Sequence, residues 1–365
     1  MSERSSIEWT DATWNPVRGC SRVSTACDNC YAIREGARHA GTHRTTYKER
    51  LPPKPGPYAG FVKRKGDRMD WTGKVALIQE KLVEPLLWKR PRRIFVNSMS
   101  DLFHESLPFE AIAAVFGVMA SERRHTFQVL TKRPERMLRF FERLARDPDP
   151  WAECHWQALT VERERGGGDG GPIHCGGQEV DKDEGRLWPL PNVWLGVSVE
   201  DQQRADERIP LLLRTPAAIR FVSYEPALGP VNFRPYLVGW EAETIFDPDH
   251  PEANGHRTSS PGLDWLIVGG ESGPGARPMD LDWARSARDQ CREAGVACFV
   301  KQIGSRWARM HEIEPAGGVR RFRRSADRKG GDPSEWPEDL RVREFPSRPA
   351  AVDAGDIPTA LTRSR

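Results

Sequence analysis

The chain has 365 residues, of which 38% are hydrophobic and 29% charged, so it can bury the core of one large domain or of two ordinary ones. No apolar run is long enough to span a membrane, and the first residues lack the apolar segment of a signal peptide, which predicts a cytoplasmic protein. The net charge of +3 conceals a basic N-terminal third, because residues 1–93 hold 19 Lys and Arg against 10 Asp and Glu. Such a surface suits nucleic acid or a nucleotide, although a solvated arginine-rich face explains it equally well.

A dense group of cysteines follows the first predicted strand, a short extended stretch between Trp9 and Trp14. Cys20, Cys27 and Cys30 occupy one polar loop, and they are three of the seven cysteines in the chain. Core cysteines usually occur singly on apolar faces, whereas thiols at this spacing converge easily on one metal. In a reducing compartment, an odd number of cysteines favours ligands or free thiols over disulfides. The loop therefore predicts a metal or iron–sulfur site.

Structural zinc is the main alternative to an iron–sulfur cluster, with a fourth ligand from His39, His43 or a distant residue. Zinc sites more often show two Cys-x2-Cys pairs, and this loop contains one, which favours the cluster. A second zinc site is chemically feasible further along the chain, although ordinary residues of a variable loop are the simpler interpretation. The four residues concerned are Cys154, His155, His174 and Cys175.

After the cysteine loop, apolar strands alternate with helices along most of the chain. The proline-rich residues 51–68 predict a loop. Helices are predicted over residues 32–39, 80–88, 108–119, 201–213 and 282–294, and from Pro134 onward. Strands are predicted over residues 75–78, 93–101, 125–132, 192–200, 218–226, 263–271 and 297–302. Continuous apolar strands separated by helices indicate a parallel sheet that is covered on both faces.

The number of strands favours a closed barrel. Six clear strands, with weaker ones near residues 9 and 76, approach the eight of a (β/α) barrel of the TIM type. An open doubly wound sheet is the alternative, but no Gly-x-Gly-x-x-Gly turn follows the first strand. We therefore predict an α/β fold in which residues 1–305 form one parallel (β/α) barrel.

Two insertions and a C-terminal tail complete the predicted organisation. Residues 146–190 and 236–262 are polar and rich in glycine or proline, which is typical of insertions between barrel units, and one of them suits a lid. Residues 306–365 predict an irregular extension that is partly disordered. Trp336 and Phe345 are its expected docking points.

Polar or charged residues follow nearly every predicted strand, where a parallel barrel carries its working residues. A glycine pair at one such end lets a ligand approach the backbone closely, and the mixed charges suit a zwitterionic ligand. Helix N-caps and surface ion pairs are the alternative, particularly for Asp101 and Asp201. The candidates at these ends are Ser98, Asp101, Lys132, Ser198, Glu200, Glu225, Gly269, Gly270, Glu271 and Lys301.

Several motifs resemble those of known families. They are Thr13-Trp-Asn-Pro, the three-cysteine loop followed by Tyr31, Phe221-Val-Ser-Tyr-Glu-Pro, Val268-Gly-Gly-Glu-Ser-Gly-Pro-Gly-Ala-Arg-Pro and Phe299-Val-Lys-Gln. From about residue 7 to about residue 305, the chain resembles a phage-associated bacterial family of poorly characterised three-cysteine-motif proteins. It is more distantly similar to the radical S-adenosylmethionine (SAM) enzymes. Their first two cysteines are usually separated by three residues, whereas here they are separated by six.

The resemblance implies that Cys20, Cys27 and Cys30 each bind one iron of a [4Fe–4S] cluster, and that SAM chelates the remaining iron. An electron from an external donor would then cleave SAM to a deoxyadenosyl radical, which abstracts hydrogen from the substrate. We expect catalytic roles for Lys132, Glu225 and Lys301. We expect cofactor contacts from Ser98, Asp101, Ser198, Glu200, Gly269, Gly270, Glu271 and Arg277.

Three functions stay open on the sequence. The first is a radical enzyme that modifies or repairs a nucleic acid or nucleotide. The second is a zinc-stabilised nucleic-acid-binding protein without catalysis. The third is an accessory protein with a structural cluster, whose protein partner carries out the chemistry.

Overall fold

The computed structural model describes residues 5–41, 55–147, 150–164, 189–242, 258–309, 311–313 and 321–347. The strands are, in chain order, β1 (Ala12–Trp14), β2 (Val17–Arg18), β3 (Val62–Lys65), β4 (Arg68–Trp71), β5 (Ala76–Leu77), β6 (Arg93–Val96), β7 (Thr126–Thr131), β8 (Val193–Val199), β9 (Ile219–Tyr224), β10 (Trp240–Ala242), β11 (Thr258–Ser260), β12 (Trp265–Gly269), β13 (Ala297–Gln302), β14 (His311–Ile313) and β15 (Arg321–Arg323). The α-helices are α1 (Tyr31–His39), α2 (Gln79–Leu82), α3 (Phe109–Ser121), α4 (Pro134–Leu144), α5 (Pro150–Glu164), α6 (Gln202–Arg214), α7 (Arg234–Leu237), α8 (Leu281–Ala294) and α9 (Ser305–Arg309). Short 3₁₀ helices cover Thr25–Cys27, Glu84–Leu87, Pro333–Glu335 and Glu338–Leu340.

Seven parallel strands form the main sheet, in the order β1-β6-β7-β8-β9-β12-β13. Every residue of β8 and β12 is buried, as expected for a parallel sheet that is covered on both faces. The predicted α/β fold with a parallel sheet is therefore confirmed. Among the described residues, β1 and β13 do not pair with each other, so a closed barrel is not shown. No helix in the described ranges has the length and apolar character needed to cross a bilayer.

The chain divides into two compact units. The first unit consists of Met1–Gly196, Pro216–Ala218 and Arg348–Arg365, and the second of Val197–Thr215 and Ile219–Ser347. Within each unit, parallel pairing places the carboxyl ends of neighbouring strands at the same edge. The segments after β1, β6 and β7 therefore leave one edge of the first unit, and those after β9, β12 and β13 leave one edge of the second.

In the N-terminal third, the predicted loop is wrong in its described part, and the strand predicted over residues 75–78 is confirmed but does not belong to the main sheet. Residues 55–68 are not one continuous loop, because β3 and β4 pair as an antiparallel hairpin. The hairpin exposes most of its charged side chains and buries chiefly Val62 and Trp71, so its sequence lacks the apolar alternation of a typical strand. The strand predicted over residues 75–78 is β5, which pairs antiparallel with β2 in a separate ribbon and does not join the main sheet.

The described part of the first predicted insertion contains a helix, α5, which packs closely on α3. Gly117 permits this contact, because a Cβ atom there would lie 2.1 Å from the carbonyl oxygen of Cys154. Cys154 is buried, and burial raises the pKa of its thiol. These contacts favour a packing role for Cys154. His174 and Cys175 lie outside the described residues.

The tail packs through both aromatic residues expected to dock it. The buried Trp336 donates a hydrogen bond from Nε1 to the carbonyl oxygen of Gly330 at 2.9 Å. The ring of Phe345 lies 5.3 Å from the rings of Trp265 and Phe299, which are buried in the second unit. Residues 315–320 and 348–365, for which the prediction was irregular or disordered structure, lie outside the described residues.

Candidate functional site

The three cysteines of the predicted metal site lie between β2 and α1. Cys27 ends a 3₁₀ helix, and Cys30 is the N-cap residue of α1. All three thiols are free and half-buried. Gly19 precedes the first cysteine with a φ of +86°, and a Cβ atom there would lie 1.9 Å from the carbonyl oxygen of Lys74. Entry of the chain into this loop therefore requires glycine.

Burial, together with the nearby Asp101 carboxylate, raises the pKa of the Cys20 thiol to about 12. Burial also raises the pKa of Cys30, although the backbone N–H groups at the start of α1 and the Lys132 ammonium oppose this change. The thiolate charge of Cys27 raises the pKa of both Cys20 and Cys30. A bound metal would displace the thiol protons, because only thiolates are strong ligands.

The thiols share a loop, but they do not form a ready-made ligand set. Within the described ranges, no three His, Cys, Asp or Glu side chains converge as a group that could hold a metal ion. The donor chemistry nevertheless fits an iron–sulfur cluster. Arg133 lies 3.9 Å from the Cys20 sulfur and the Lys132 ammonium acts on Cys30, and both cations favour an anionic centre.

A buried ion pair lies next to Cys20. Arg133 is 6% exposed and Asp101 is 5% exposed, and Nη1 of the arginine lies 3.0 Å from Oδ2 of the aspartate. Burial alone would lower the pKa of Arg133, but Asp101, Cys20 and Glu105 together more than offset that effect and raise it. Nη1 also lies 3.9 Å from Sγ of Cys20, and Nη2 donates to the carbonyl and hydroxyl oxygens of Ser21. Arg133 thus ties the cysteine loop to the end of β7.

Asp101 organises this edge of the first unit. Its carboxylate accepts hydrogen bonds from the Thr131 hydroxyl at 2.7 Å and from the Phe103 and Lys132 backbone N–H groups at 3.0 and 3.1 Å. With the bond from Arg133, four donors occupy its two oxygens. Asp101 was predicted to contact the cofactor, but in this structure its carboxylate is saturated by the protein.

His104 completes the contacts to the cysteine loop. Its Nδ1 accepts a hydrogen bond from the Ser106 N–H at 3.1 Å, so in the neutral tautomer Nε2 carries the proton. Nε2 lies 2.8 Å from the hydroxyl oxygen of Ser21. Burial lowers the pKa of His104, and the Arg133 charge lowers it further. The neutral imidazole therefore acts as a hydrogen-bond donor to the loop.

Asn97 and Ser98 follow β6 at the same edge. Asn97 adopts a φ of 59°, a left-handed conformation that is uncommon outside glycine and that asparagine tolerates better than most residues. Its Oδ1 accepts from the Val17 N–H at 3.2 Å, while its buried Nδ2 has no hydrogen-bond partner in the described residues. The Ser98 hydroxyl donates to Oδ1 of Asn15 at 3.3 Å. Asn97 therefore offers an unused donor close to the cysteine loop.

In the second unit, Glu225 and Lys301, which lie at the ends of β9 and β13, form an ion pair that was not predicted. The Lys301 ammonium lies 2.5 Å from Oε1 of Glu225, and Nε2 of Gln302 donates to the same oxygen at 3.2 Å. The carboxyl group lies against Gly269, where a Cβ atom would approach it to 3.2 Å. Gly269 leaves room for this carboxylate.

A second carboxylate of this unit is held by the chain itself. Glu271 is buried and makes a bidentate contact with Arg277, at 2.6 Å to Nη2 and 3.1 Å to Nε, and it accepts from the Arg277 N–H at 2.8 Å. Gly270 permits close packing, because a Cβ atom there would lie 2.4 Å from the carbonyl oxygen of Ile303. The two predicted cofactor contacts, Glu271 and Arg277, are thus paired with each other.

The end of β8 carries a third ion pair. Glu200 is fully buried, and Nη1 of Arg208 lies 3.0 Å from its Oε2 and 2.8 Å from the Ser198 carbonyl oxygen. Oε1 of Glu200 has no hydrogen-bond partner in the described part of the chain. Asp201 caps α6, because its carboxylate accepts from the Arg204 N–H at 2.9 Å. For Asp201, the alternative interpretation as an N-cap is confirmed.

The sequence analysis identified candidate residues at the strand ends but not the residues that link the cysteine loop to those ends. Ser21, His104 and Arg133 were not among the candidates, although each contacts the cysteine loop or belongs to it. Arg133 follows the candidate Lys132 directly, so its place after β7 was a usable signal. His104 follows no strand end and gave no comparable signal.

A protein-family model described as "Protein of unknown function (DUF5131)" matches residues 4–336. The chain belongs to the DUF5131 family. In this DUF5131 protein, the matched segment contains both the cysteine loop of the first unit and the carboxylate pairs of the second. No curated protein and no solved structure gives a significant match.

Proposed function

We propose that this DUF5131 protein is an iron–sulfur enzyme that resembles radical SAM proteins and modifies or repairs a nucleic acid or nucleotide. On this proposal the parallel sheet corresponds to the (β/α) barrel of that class, and the protein works in the cytoplasm as a phage-associated enzyme. It takes electrons from a separate donor. The observation that carries the proposal is the set of three free thiols on one loop, in which Arg133 acts on Cys20 and Lys132 acts on Cys30.

The residues of the first unit support binding of such a centre. Cys20, Cys27 and Cys30 would hold a [4Fe–4S] cluster. When bound, the cluster and SAM supply one-electron cleavage chemistry, which the protein has no side chains to provide. Asn97 offers an unused N–H donor that suits a carboxylate or a ribose hydroxyl.

The neighbouring cations would stabilise the thiolate forms. Arg133 is placed to donate to the Cys20 sulfur, and its bonds to Ser21 fix the backbone on which that sulfur is carried. Lys132 acts on Cys30 in the same sense. These cations reduce the cost of gathering negative charge in a half-buried loop.

Anaerobic reconstitution with iron and sulfide tests the proposal. We expect about four iron atoms and about four sulfides per chain, as a [4Fe–4S] cluster requires. SAM should change the EPR spectrum of the reduced protein, and turnover should release deoxyadenosine. Bound zinc without iron would contradict the proposal in favour of a zinc-stabilised binding protein. A cluster that is insensitive to SAM would favour the accessory role.

Lys301→Met tests the role of the second unit. The substitution leaves the Glu225 carboxylate without its ammonium partner, and hydrogen bonds to charged groups contribute about 1.5–3 kcal/mol. We expect the deoxyadenosine yield to fall by about 10-fold or more, with iron content unchanged. Lys329→Met removes an exposed lysine of the same unit and is the matched control. An equal yield in both variants would remove Lys301 and Glu225 from the catalytic set.

A further inference from the structure

A basic hairpin lies in the same unit as the cysteine loop. β3 and β4 pair from Val62 opposite Trp71 at the base to Lys65 opposite Arg68 at the tip. The base is buried against α1, because Val62 and Trp71 lie 3.2 and 3.4 Å from the position of a Cβ atom on Gly36. The tip projects exposed charges.

Lys63, Lys65 and Arg68 share one face of the hairpin. Alternate residues of a strand lie on the same side, and so do directly opposed residues of neighbouring strands. All three cations are exposed, and none forms an ion pair with a carboxylate of the described residues. Asp70 completes this face, but Arg22 already binds it at 2.9 Å.

The opposed pair at the tip is unfavourable in the free protein. Like charges placed directly across two strands are destabilising. Lys65 and Arg68 occupy such a pair. An anionic group between them would relieve the repulsion, so the hairpin is better suited to a bound polyanion than to open solvent.

Arg22 connects this hairpin to the cysteines. Its Nε donates to Asp70 in β4, and its Nη1 donates to the carbonyl oxygen of Cys27 at 2.7 Å. Cys20 and Cys30 pack against the same apolar cluster as Met69 of β4. The basic face is therefore held beside the loop that carries the thiols.

We propose that Lys63, Lys65 and Arg68 bind the phosphodiester backbone of a nucleic acid and hold it next to the cysteine loop. The identity of this nucleic acid as the substrate rests on the proposed function, whereas the binding itself needs no cluster. Backbone phosphates repeat along a strand and match a row of cations. A folded protein partner fits less well, because the face is wholly charged and lacks the apolar centre of a protein interface.

Fluorescence anisotropy with labelled single-stranded DNA, single-stranded RNA and duplex DNA tests this surface over a range of salt concentrations. The test variant is Lys65→Gln with Arg68→Gln. The control is Lys89→Gln with Arg90→Gln, which removes two exposed cations that precede β6. Each lost phosphate contact lowers the slope of log Kd against log salt by about 0.7 for single strands and 0.9 for duplex DNA.

We therefore expect the test variant to lose about 1.4 to 1.8 from the slope and the control to keep the wild-type value. Lys63→Gln, a milder change, should lose about half as much as the test variant. Melting temperatures should not fall in the test variant, because it removes a like-charge pair.

Equal slopes in the test variant and the wild type would overturn the inference, as would an equal loss in the control. Tighter binding to anionic lipid vesicles than to all three oligonucleotides would overturn it in favour of a membrane surface. Iron and sulfide are measured on the same samples. If the protein binds no cluster and the test variant still shows the smaller slope of log Kd against log salt, the result would support this inference and contradict the proposed enzyme.

Discussion

Replacing Cys27 with serine should abolish most of the iron bound on anaerobic reconstitution. A cluster held by three thiolates loses a third of its protein ligands with this change. The loss of affinity should exceed the roughly 10–100-fold that follows removal of an outer hydrogen-bond partner. Iron and sulfide content per chain, together with the visible absorption of the sample, measures the effect.

The structure makes Cys27 the best of the three positions for this test. Both backbone polar groups of Cys27 form hydrogen bonds. Its N–H donates to the carbonyl oxygen of Ser24, and its carbonyl oxygen accepts from Nη1 of Arg22. Serine keeps those bonds, so the loop should stay folded. The control is Cys291→Ala, a buried cysteine of the second unit, which should keep wild-type iron content. Full cluster occupancy in Cys27→Ser would show that Cys27 is not a ligand.

The sequence predicted the secondary structure best in the strands whose residues are all buried. The apolar runs at β8 and β12 predicted buried parallel strands, because a strand covered on both faces needs apolar residues at nearly every position. The hairpin of β3 and β4 was not predicted, because many of its residues are exposed and charged. Its stability comes from Val62 and Trp71 packed on α1, and those long-range contacts leave no periodicity among its lysines and arginines.

The candidate site was predictable in its members but not in their pairing. The order of strands and helices placed Glu225 and Lys301 at the ends of strands, yet 76 residues separate them along the chain. Whether two such side chains meet depends on strand order and register, which a single sequence does not specify. Asp101 shows the opposite outcome. Its position at a strand end is typical of a ligand-binding residue. Four donors of the protein bind its carboxylate, so in this structure Asp101 stabilises the fold.

Replacing Arg133 with methionine should destabilise the protein by about 3–5 kcal/mol, because it leaves the buried Asp101 carboxylate without its cation. This lies above the roughly 0.5–3 kcal/mol of most single substitutions. Denaturant unfolding followed by circular dichroism measures the difference. Arg139→Met is the matched control, because Arg139 lies on α4 and Arg133 is the N-cap residue of that helix. The Arg139 side chain is 66% exposed against 5% for Arg133, and its ion pair with Glu135 should contribute at most about 1 kcal/mol.

A double-mutant cycle separates the charge from the packing. Asp101→Asn removes the charge that Arg133 neutralises while keeping one amide oxygen as an acceptor for local donors. Because the two residues are in direct contact, we expect the double variant with Arg133→Met to be less destabilised than the sum of the single changes, by about 0.5–3 kcal/mol. Strictly additive effects would contradict a specific ion pair. They would assign the cost of losing Arg133 to its other bonds, which are those to Ser21 of the cysteine loop and the ion pair with Glu105.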